Sequence, residues 1–220
     1  MNKFILALRY LYYRLFYRFN RFGWPVGFGA GVSIRNAEFI SLGNNIFIDN
    51  NVVLQLSDEH IKYGFEKPKL EIEDKVSIGL GTMISVANHI LIKKNVLIAQ
   101  HCFIGDHDHE YKDINVPIRY QGLKNVRPVV INEGSWIGAN VTVCSGVTIG
   151  RNSVIGANSV VKEDIPDYTL AAGVPAKIIK RYNSKTKDWR KVNKTPTDIK
   201  EYYEEKQPFP VFNIRNASLF

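Results

Sequence analysis

The chain has 220 residues, of which 45% are hydrophobic and 23% are charged, a composition typical of a soluble globular domain and unlike that of a disordered segment. The formal net charge of +8 fits an anionic partner, which could be nucleic acid, a membrane surface or a phosphorylated small molecule. The two cysteines, Cys102 and Cys144, are too few for a disulfide framework and show no metal-ligand spacing, so both are expected to be reduced and buried.

The N-terminal segment 1–22 predicts an amphipathic helix. Its apolar side chains share one helical stripe, and arginines occupy the other positions. The stripe consists of Phe4, Leu8, Leu11, Leu15 and Phe19. Charges interrupt the apolar run before it reaches the roughly 20 residues that span a bilayer, and no signal-peptide cleavage site follows, so a cytoplasmic protein is expected. Two roles stay open: peripheral contact with the inner face of the membrane through residues 1–22, or a cap on the following domain.

The next part of the chain follows a six-residue repeat of aliphatic residues. The longest unbroken series is Ile131, Ile137, Val143, Ile149, Ile155 and Val161. Shorter series with the same step are Ile34, Ile40, Ile46 and Val52; Ile72, Ile78 and Ile84; and Ile92, Ile98 and Ile104. A period of six fits neither a helix nor an ordinary strand. It predicts an all-β solenoid of short parallel strands, in which one aliphatic side chain per strand points inwards and stacks on its equivalent in the next coil.

Turn residues and breaks in the period predict where the chain leaves the coil. Gly and Asn dominate the expected corners, as in 43–45, 138–140 and 156–158, because a positive φ costs these residues little. The breaks predict loops at 57–69 and 106–128, and loops on a rigid scaffold commonly carry binding and catalysis.

Three regions follow from this pattern. They are an N-terminal helix and cap over 1–30, a β-helix domain over 31–182, and a C-terminal region over 183–220. Within the last region, Thr197 is a candidate N-cap for a helix over 198–206, and an arm over 207–220 follows.

The end of the repeat resembles the hexapeptide-repeat acyltransferases. The likeness is carried by Ile149-Gly150, by the run Ala-Asn-Ser-Val-Val-Lys-Glu-Asp-Ile-Pro over 157–166 and by Ala-Gly-Val-Pro-Ala-Lys over 172–177, and it covers about residues 30–182. Within the family the chain is most similar to the galactoside, maltose and polysaccharide O-acetyltransferases. The resemblance implies a left-handed parallel β-helix, a homotrimer with active sites between adjacent subunits, and acetyl-CoA as the donor.

The resemblance places the catalytic His at the start of the large loop, where 106–109 reads Asp-His-Asp-His. Counted without gaps from Ile104, His109 falls in the family's catalytic register and is therefore the expected general base, and His107 lies two residues away. An imidazole, with an ordinary pKa near ~6.5, can accept the proton that a sugar hydroxyl loses as it attacks a thioester. A neighbouring carboxylate could hold the ring in one tautomer; the candidates are Asp106, Asp108 and Glu110.

Position-for-position transfer from the family also gives candidate donor-binding residues. They are Trp136, Ala139, Ala157, Lys162, Lys177, Lys180 and the adjacent Arg181. Trp136 should point outwards because it precedes an inward Ile, the alanines would admit the pantetheine arm, and the cations would face the nucleotide phosphates. Gly79 departs from the galactoside-type pattern, which has an acceptor-binding Asn there, so a polysaccharide-pathway sugar is a better acceptor hypothesis than free galactoside or maltose.

These observations predict a metal-independent O-acetyltransferase that transfers acetyl directly from acetyl-CoA to a sugar hydroxyl, in O-antigen or capsule biosynthesis. Two alternatives are an N-acetyltransferase acting on a nucleotide-linked amino sugar and a non-catalytic β-helix scaffold. A third is a zinc enzyme of the γ-carbonic-anhydrase type, whose ligands would be His101, His107 and His109. That family spaces its His ligands differently, which disfavours the zinc hypothesis. No nucleic-acid-binding motif accompanies the positive charge, so no nucleic-acid partner is expected.

Overall fold

The computed structural model describes residues 3–58 and 69–192. Most of the predicted 57–69 loop lies outside the described residues. The same holds for the Thr197 cap, the 198–206 helix and the 207–220 arm.

Three sheets form the body of the protein, and the chain visits them in rotation. Sheet A contains β1 (Arg21–Phe22), β4 (Ile40–Leu42), β7 (Lys69–Ile72), β10 (His89–Ile92), β15 (Val129–Ile131) and β18 (Thr148–Ile149). Sheet B contains β2 (Val26–Phe28), β5 (Ile46–Ile48), β8 (Ser77–Ile78), β11 (Leu97–Ile98), β16 (Trp136–Ile137), β19 (Val154–Ile155), β21 (Thr169–Ala172), β22 (Lys177–Asn183) and β23 (Asp188–Lys191). Sheet C contains β3 (Ser33–Arg35), β6 (Val53–Leu56), β9 (Met83–Val86), β12 (Phe103–Gly105), β17 (Thr142–Val143) and β20 (Val160–Val161). Each circuit through the three sheets is one coil, which confirms the predicted array of short parallel strands.

Each coil strand directs two residues inwards, with one outward residue between them. Ile98 pairs with Ile78 on one side and Ile137 on the other, and all three are buried. Two positions earlier, Val96 and its equivalent Ser135 are buried as well. Where this second position is a serine, its hydroxyl is satisfied: Ser135 Oγ donates to a backbone carbonyl of the next coil at 2.7 Å. The prediction of one inward residue per strand was therefore incomplete.

The six-residue phase predicted for the first coils is wrong after Ile34. The structure pairs Ile34 with Leu54, and it pairs Leu42 rather than Ile40 with Ile72. A short 3-10 helix over Ala37–Phe39 lengthens the corner between these strands. Both inward positions of β4, Ile40 and Leu42, are aliphatic, so the six-residue period alone could not show which of them matches Ile72.

Asparagine and glycine have different roles at the corner over 138–140. The predicted positive φ is confirmed at asparagines such as Asn140 and Asn158, with φ values of 56° and 58°. Gly138, by contrast, allows a close approach between coils, since a Cβ there would lie 2.7 Å from the backbone nitrogen of Ala157. The glycine at this corner is therefore required for packing and the asparagines for the turn.

The coils begin before the predicted limit of residue 31, and further strands of sheet B follow them at the C-terminal end. The first coil begins with β1 and β2, before residue 31. The repeat did not predict these strands because they are rich in aromatic residues and glycine and lack its aliphatic residues. At the other end, β22 and β23 form an antiparallel hairpin that adds to sheet B. The sequence did not predict this hairpin, which crosses the expected boundary at residue 183.

The N-terminal helix α1 (Lys3–Phe16) lies against the first coil. The Tyr13 ring is buried and stacks on Phe28, with ring centroids 4.1 Å apart. Phe19 lies beyond the end of the helix and packs on the core, so it is not part of the predicted stripe. Within the described segments, no helix has the length and apolar character needed to cross a bilayer.

Replacing Tyr13 with Phe should destabilise the protein by about 1–3 kcal/mol, because the Tyr13 hydroxyl donates a 2.8 Å hydrogen bond to the buried Val32 carbonyl. Urea unfolding of Tyr13→Phe measures the loss. Tyr12→Phe is the matched control, since Tyr12 is exposed on the same helix. Equal stability of the two variants would show that this bond does not anchor α1.

Candidate active site

The loop over 106–128 leaves the coil between β12 and β15, where the break in the repeat predicted it. It contains a hairpin that the sequence did not predict, in which β13 (Asp108–His109) pairs antiparallel with β14 (Leu123–Lys124). The Gln121 side-chain amide donates to the backbone carbonyls of Asp113 and Val116. Hydrogen bonds within the loop therefore hold the segment that carries the two histidines.

His107 is held by a buried carboxylate at the base of this loop. Asp106 is fully buried, and its two carboxylate oxygens accept hydrogen bonds from the backbone N–H groups of Ala87 and Asn88, each at 2.8 Å. The oxygen that Ala87 contacts also lies 2.9 Å from His107 Nδ1. Because a carboxylate only accepts, Nδ1 carries the proton, and Nε2 is left as the basic nitrogen of the neutral ring.

His109 has a different environment. It is exposed in β13, opposite Leu123, and within residues 3–58 and 69–192 its ring makes no hydrogen bond. Asp108 accepts a bond from the Asn125 side chain at 2.9 Å. Hydrogen bonds from the following backbone N–H groups, of which that of Tyr111 has the largest effect, lower the pKa of Glu110. Of the three candidate carboxylates, Asp106 is therefore the one that orients a histidine.

Both histidines line an open cavity of about 790 Å³ on the outward face of sheet C. Its full lining is Arg35, Gln55, Ser57, Asp58, Met83, Ser85, Phe103, His107, Asp108, His109 and Leu123. Arg35, Gln55 and Ser85 form a polar column across paired strands, and Met83 pairs with Phe103 in an apolar column beside it. Such a mixed lining suits a sugar, which has polar hydroxyls and apolar ring faces.

The sequence did not identify these two columns. They could be recognised in the sequence by matching the outward residues of successive coils, for example Gln55 with Ser85. That equivalence can be read only when the phase of each coil is correct, and the six-residue phase predicted for the first coils is wrong.

Three of the candidate donor-binding residues lie on neighbouring coils. Trp136 in β16 is half exposed and points outwards, as the alternation predicted. Ala139 and Ala157 occupy equivalent corners of successive coils, and the Asn158 N–H donates to the Ala139 carbonyl at 2.9 Å. The structure thus brings the two alanines together along one edge of the coil.

Lys162 directly follows β20, the strand of sheet C that pairs with β17. Burial raises the pKa of the Cys144 thiol, the charge of Lys162 lowers it, and the charge of Asp108 raises it. The Cys144 N–H donates to the Val161 carbonyl at 2.9 Å, so Cys144 lies beside the residue that precedes Lys162. The raised pKa keeps Cys144 protonated near neutral pH, which makes it a poor nucleophile.

The remaining candidate cations lie on β22. Lys177 is exposed, and its Nζ lies 3.2 Å from the Glu163 carboxylate. Lys180 and Arg181 pair with Leu170 and Thr169 of β21. Neither these cations nor Trp136 line the histidine cavity of a single chain.

A second cavity, of about 550 Å³, lies on the outward face of sheet B. Gly79, Leu97 and His101 are among the residues that line it. In the described part of the chain, no three His, Cys, Asp or Glu side chains are grouped so that they could hold a metal ion.

Comparison with known proteins gives a family match and several relatives. Residues 128–163 match the family model for the bacterial transferase hexapeptide, six repeats. The putative lipopolysaccharide biosynthesis O-acetyl transferase WbbJ of Escherichia coli is 38% identical over 165 residues, which are 72% of this chain and 80% of that protein. Galactoside O-acetyltransferase of Escherichia coli is 32% identical over 177 residues, 80% of this chain and 79% of that protein.

A longer relative and a solved structure extend this comparison. The probable acetyltransferase Rv3034c of Mycobacterium tuberculosis is 36% identical over 155 residues, 69% of this chain, and the match spans 48% of that relative, about half its length. The crystal structure of AntD, an N-acyltransferase from Bacillus cereus in complex with dTDP and 3-hydroxybutyryl-CoA, has a TM-score of 0.62. It is 22% identical and covers 85% of this chain and 90% of that one, so it shows the fold alone.

Proposed function

Because this chain belongs to the hexapeptide-repeat acyltransferase family, we propose that it is an acetyl-CoA-dependent O-acetyltransferase of a sugar hydroxyl in O-antigen or capsule biosynthesis. The observation that carries the proposal is the 2.9 Å contact between His107 Nδ1 and the buried Asp106 carboxylate, beside a cavity of about 790 Å³. A carboxylate-oriented imidazole that lines a cavity of this size suits acyl transfer to a bound hydroxyl.

The proposed reaction is a direct transfer without a metal. The acceptor hydroxyl donates its proton to His107 Nε2 as its oxygen attacks the thioester carbonyl, and the carbon–sulfur bond then breaks. The imidazolium returns the proton to the departing thiolate, which gives the acetyl ester and free CoA. Asp106 stabilises the transient positive charge on the ring. A covalent acyl-cysteine is disfavoured, because burial raises the pKa of both Cys102 and Cys144.

His107 is proposed as the base in preference to His109. The gapless count favours His109, but the orientation and partial burial of the ring favour His107, whose side chain is 14% exposed. His109 lines the same cavity from its outer side, where it can contact the acceptor.

The donor site is proposed to lie between subunits of a homotrimer wound from left-handed coils. Trp136, Ala139 and Ala157 would border the pantetheine arm, and the phosphates of acetyl-CoA would meet the nearby cations, namely Lys162, Lys177, Lys180 and Arg181. Support comes from the location of Trp136 and the β22 cations outside the histidine cavity of one chain. A neighbouring subunit could bring the two halves of the site together, and its sheet B cavity could form a facing wall.

The test is release of free CoA thiol from acetyl-CoA with a panel of acceptors, together with light scattering. We expect turnover with polysaccharide-pathway sugars, weak turnover with free galactoside or maltose, and a particle of three times the 25.1 kDa chain mass. A base-labile ester in the product identifies O-acetylation. An alkali-stable amide formed on a nucleotide-linked amino sugar would instead support the N-acetyltransferase alternative. The absence of turnover with every acceptor would favour the scaffold alternative.

A further inference from the structure

Helix α1 has two apolar faces, although a helix that only caps the coil needs a single apolar face to pack against it. The face towards the coil carries Tyr10 and Tyr13, and Tyr17 follows the end of the helix; all three pack on the core. The opposite face is exposed: Leu8 and Leu15 are 52% and 68% accessible. Further exposed residues of this face are Phe4, Ile5, Leu11, Tyr12 and Phe16. A helix that packs against a core on one side normally has polar residues on the other, so this second face needs a partner.

The charges around α1 point to an anionic partner. Arg14, Arg18 and Arg21 are exposed in or just after the helix. The first acidic residue of the whole chain is Glu38, so no carboxylate of the N-terminal segment offsets these cations. Apolar residues flanked by arginines are typical of helices that lie on anionic lipid headgroups.

Exposed aromatic rings border the same surface. Tyr12 and Phe16 are exposed on the helix itself. Large amphipathic rings such as those of Trp and Tyr are enriched at the headgroup level of bilayers. With its 14 residues, α1 is about 21 Å long, so its length suits a position in the plane of the surface rather than across it.

We propose that α1 is a peripheral membrane anchor. It lies flat on an anionic bilayer with the Leu8–Leu15 face in the boundary between headgroups and acyl chains, while its tyrosine face remains packed on the first coil. The inference goes beyond the proposed catalytic function and does not depend on it.

The test is sedimentation of the full-length protein with vesicles of equal parts phosphatidylcholine and phosphatidylglycerol, compared with phosphatidylcholine alone. Wild type should sediment with the anionic vesicles, and the double variant Leu8→Gln/Leu15→Gln should stay in solution. Gln supports a helix about as well as Leu, so the cap should persist. Ala7→Gln is the matched control, because Ala7 is exposed on α1 but off the apolar face. Arg14→Gln should weaken binding about fivefold at low salt, the effect of about 1 kcal/mol per cation.

Two outcomes would overturn the proposal. One is equal sedimentation of wild type and the Leu8/Leu15 double variant. The other is a wild type that stays in solution while the double variant shows a smaller mass in light scattering, which would assign the face to a contact between subunits. Acetyl transfer to a water-soluble acceptor should be unchanged in the double variant. A failure of membrane binding can therefore be told apart from a failure of the proposed activity.

Discussion

His107→Ala should lower kcat by about 10²- to 10⁴-fold, the usual contribution of a general base. The Asp106 contact at 2.9 Å fixes the ring so that Nε2 can take the hydroxyl proton, and alanine removes that acceptor. The KM for acetyl-CoA should barely change, because the candidate donor residues on β16 and β22 do not line the histidine cavity. Initial rates with varied acetyl-CoA and acceptor measure both quantities.

His109→Ala is the matched variant, two positions away on the same loop. Its ring is exposed and is not held by a carboxylate, so we expect a smaller loss, seen mainly in the KM for the acceptor. The pH profile of kcat/KM should show the ionisation of the general base. This ionisation should be lost in His107→Ala and kept in His109→Ala. The reverse pattern would show that His109 is the base, as the count without gaps from Ile104 predicts. Full activity in both variants would refute general-base catalysis by this loop.

Asp106→Asn should lower kcat by about 10²-fold or more, since a buried carboxylate that orients a catalytic imidazole can contribute up to about 10⁴-fold. Asp106 accepts from Ala87 N–H, Asn88 N–H and His107 Nδ1. Asparagine offers one accepting oxygen, and its NH₂ group would face a donor. The tautomer of His107 is then no longer fixed. Each buried N–H left without an acceptor should also cost about 1–3 kcal/mol of stability.

Separate measurements distinguish the positioning role of Asp106 from a merely structural one. Urea unfolding reports the stability loss, and kcat per folded enzyme, with its pH profile, reports the orientation of the imidazole. Asp108→Asn is the control, because Asp108 is exposed in the same loop and contacts a side chain rather than the coil backbone. If Asp106→Asn loses stability while its kcat and pH profile match those of wild type, Asp106 only anchors the loop.

The coil could be predicted from sequence because its packing repeats locally. Every strand buries equivalent positions against the next coil, so equivalents recur at a fixed step wherever no loop intervenes, as from Ile137 to Ile155. The antiparallel hairpin of β22 and β23 could not be predicted in this way. It lies outside the array and pairs with the edge of sheet B, so its residues do not follow the inward repeat.

By itself the sequence determined the parallel coil, the asparagine corners, the extruded 106–128 loop and the pair of histidines at the start of that loop. Only the tertiary structure showed that His107, and not His109, is held by a carboxylate. The amides that fix Asp106 belong to Ala87 and Asn88, at the corner one coil earlier. Residues that touch across adjacent coils are distant in sequence, and the loops between coils vary in length. The contacts of Asp106 therefore depend on how adjacent coils align, and the six-residue period does not specify that alignment.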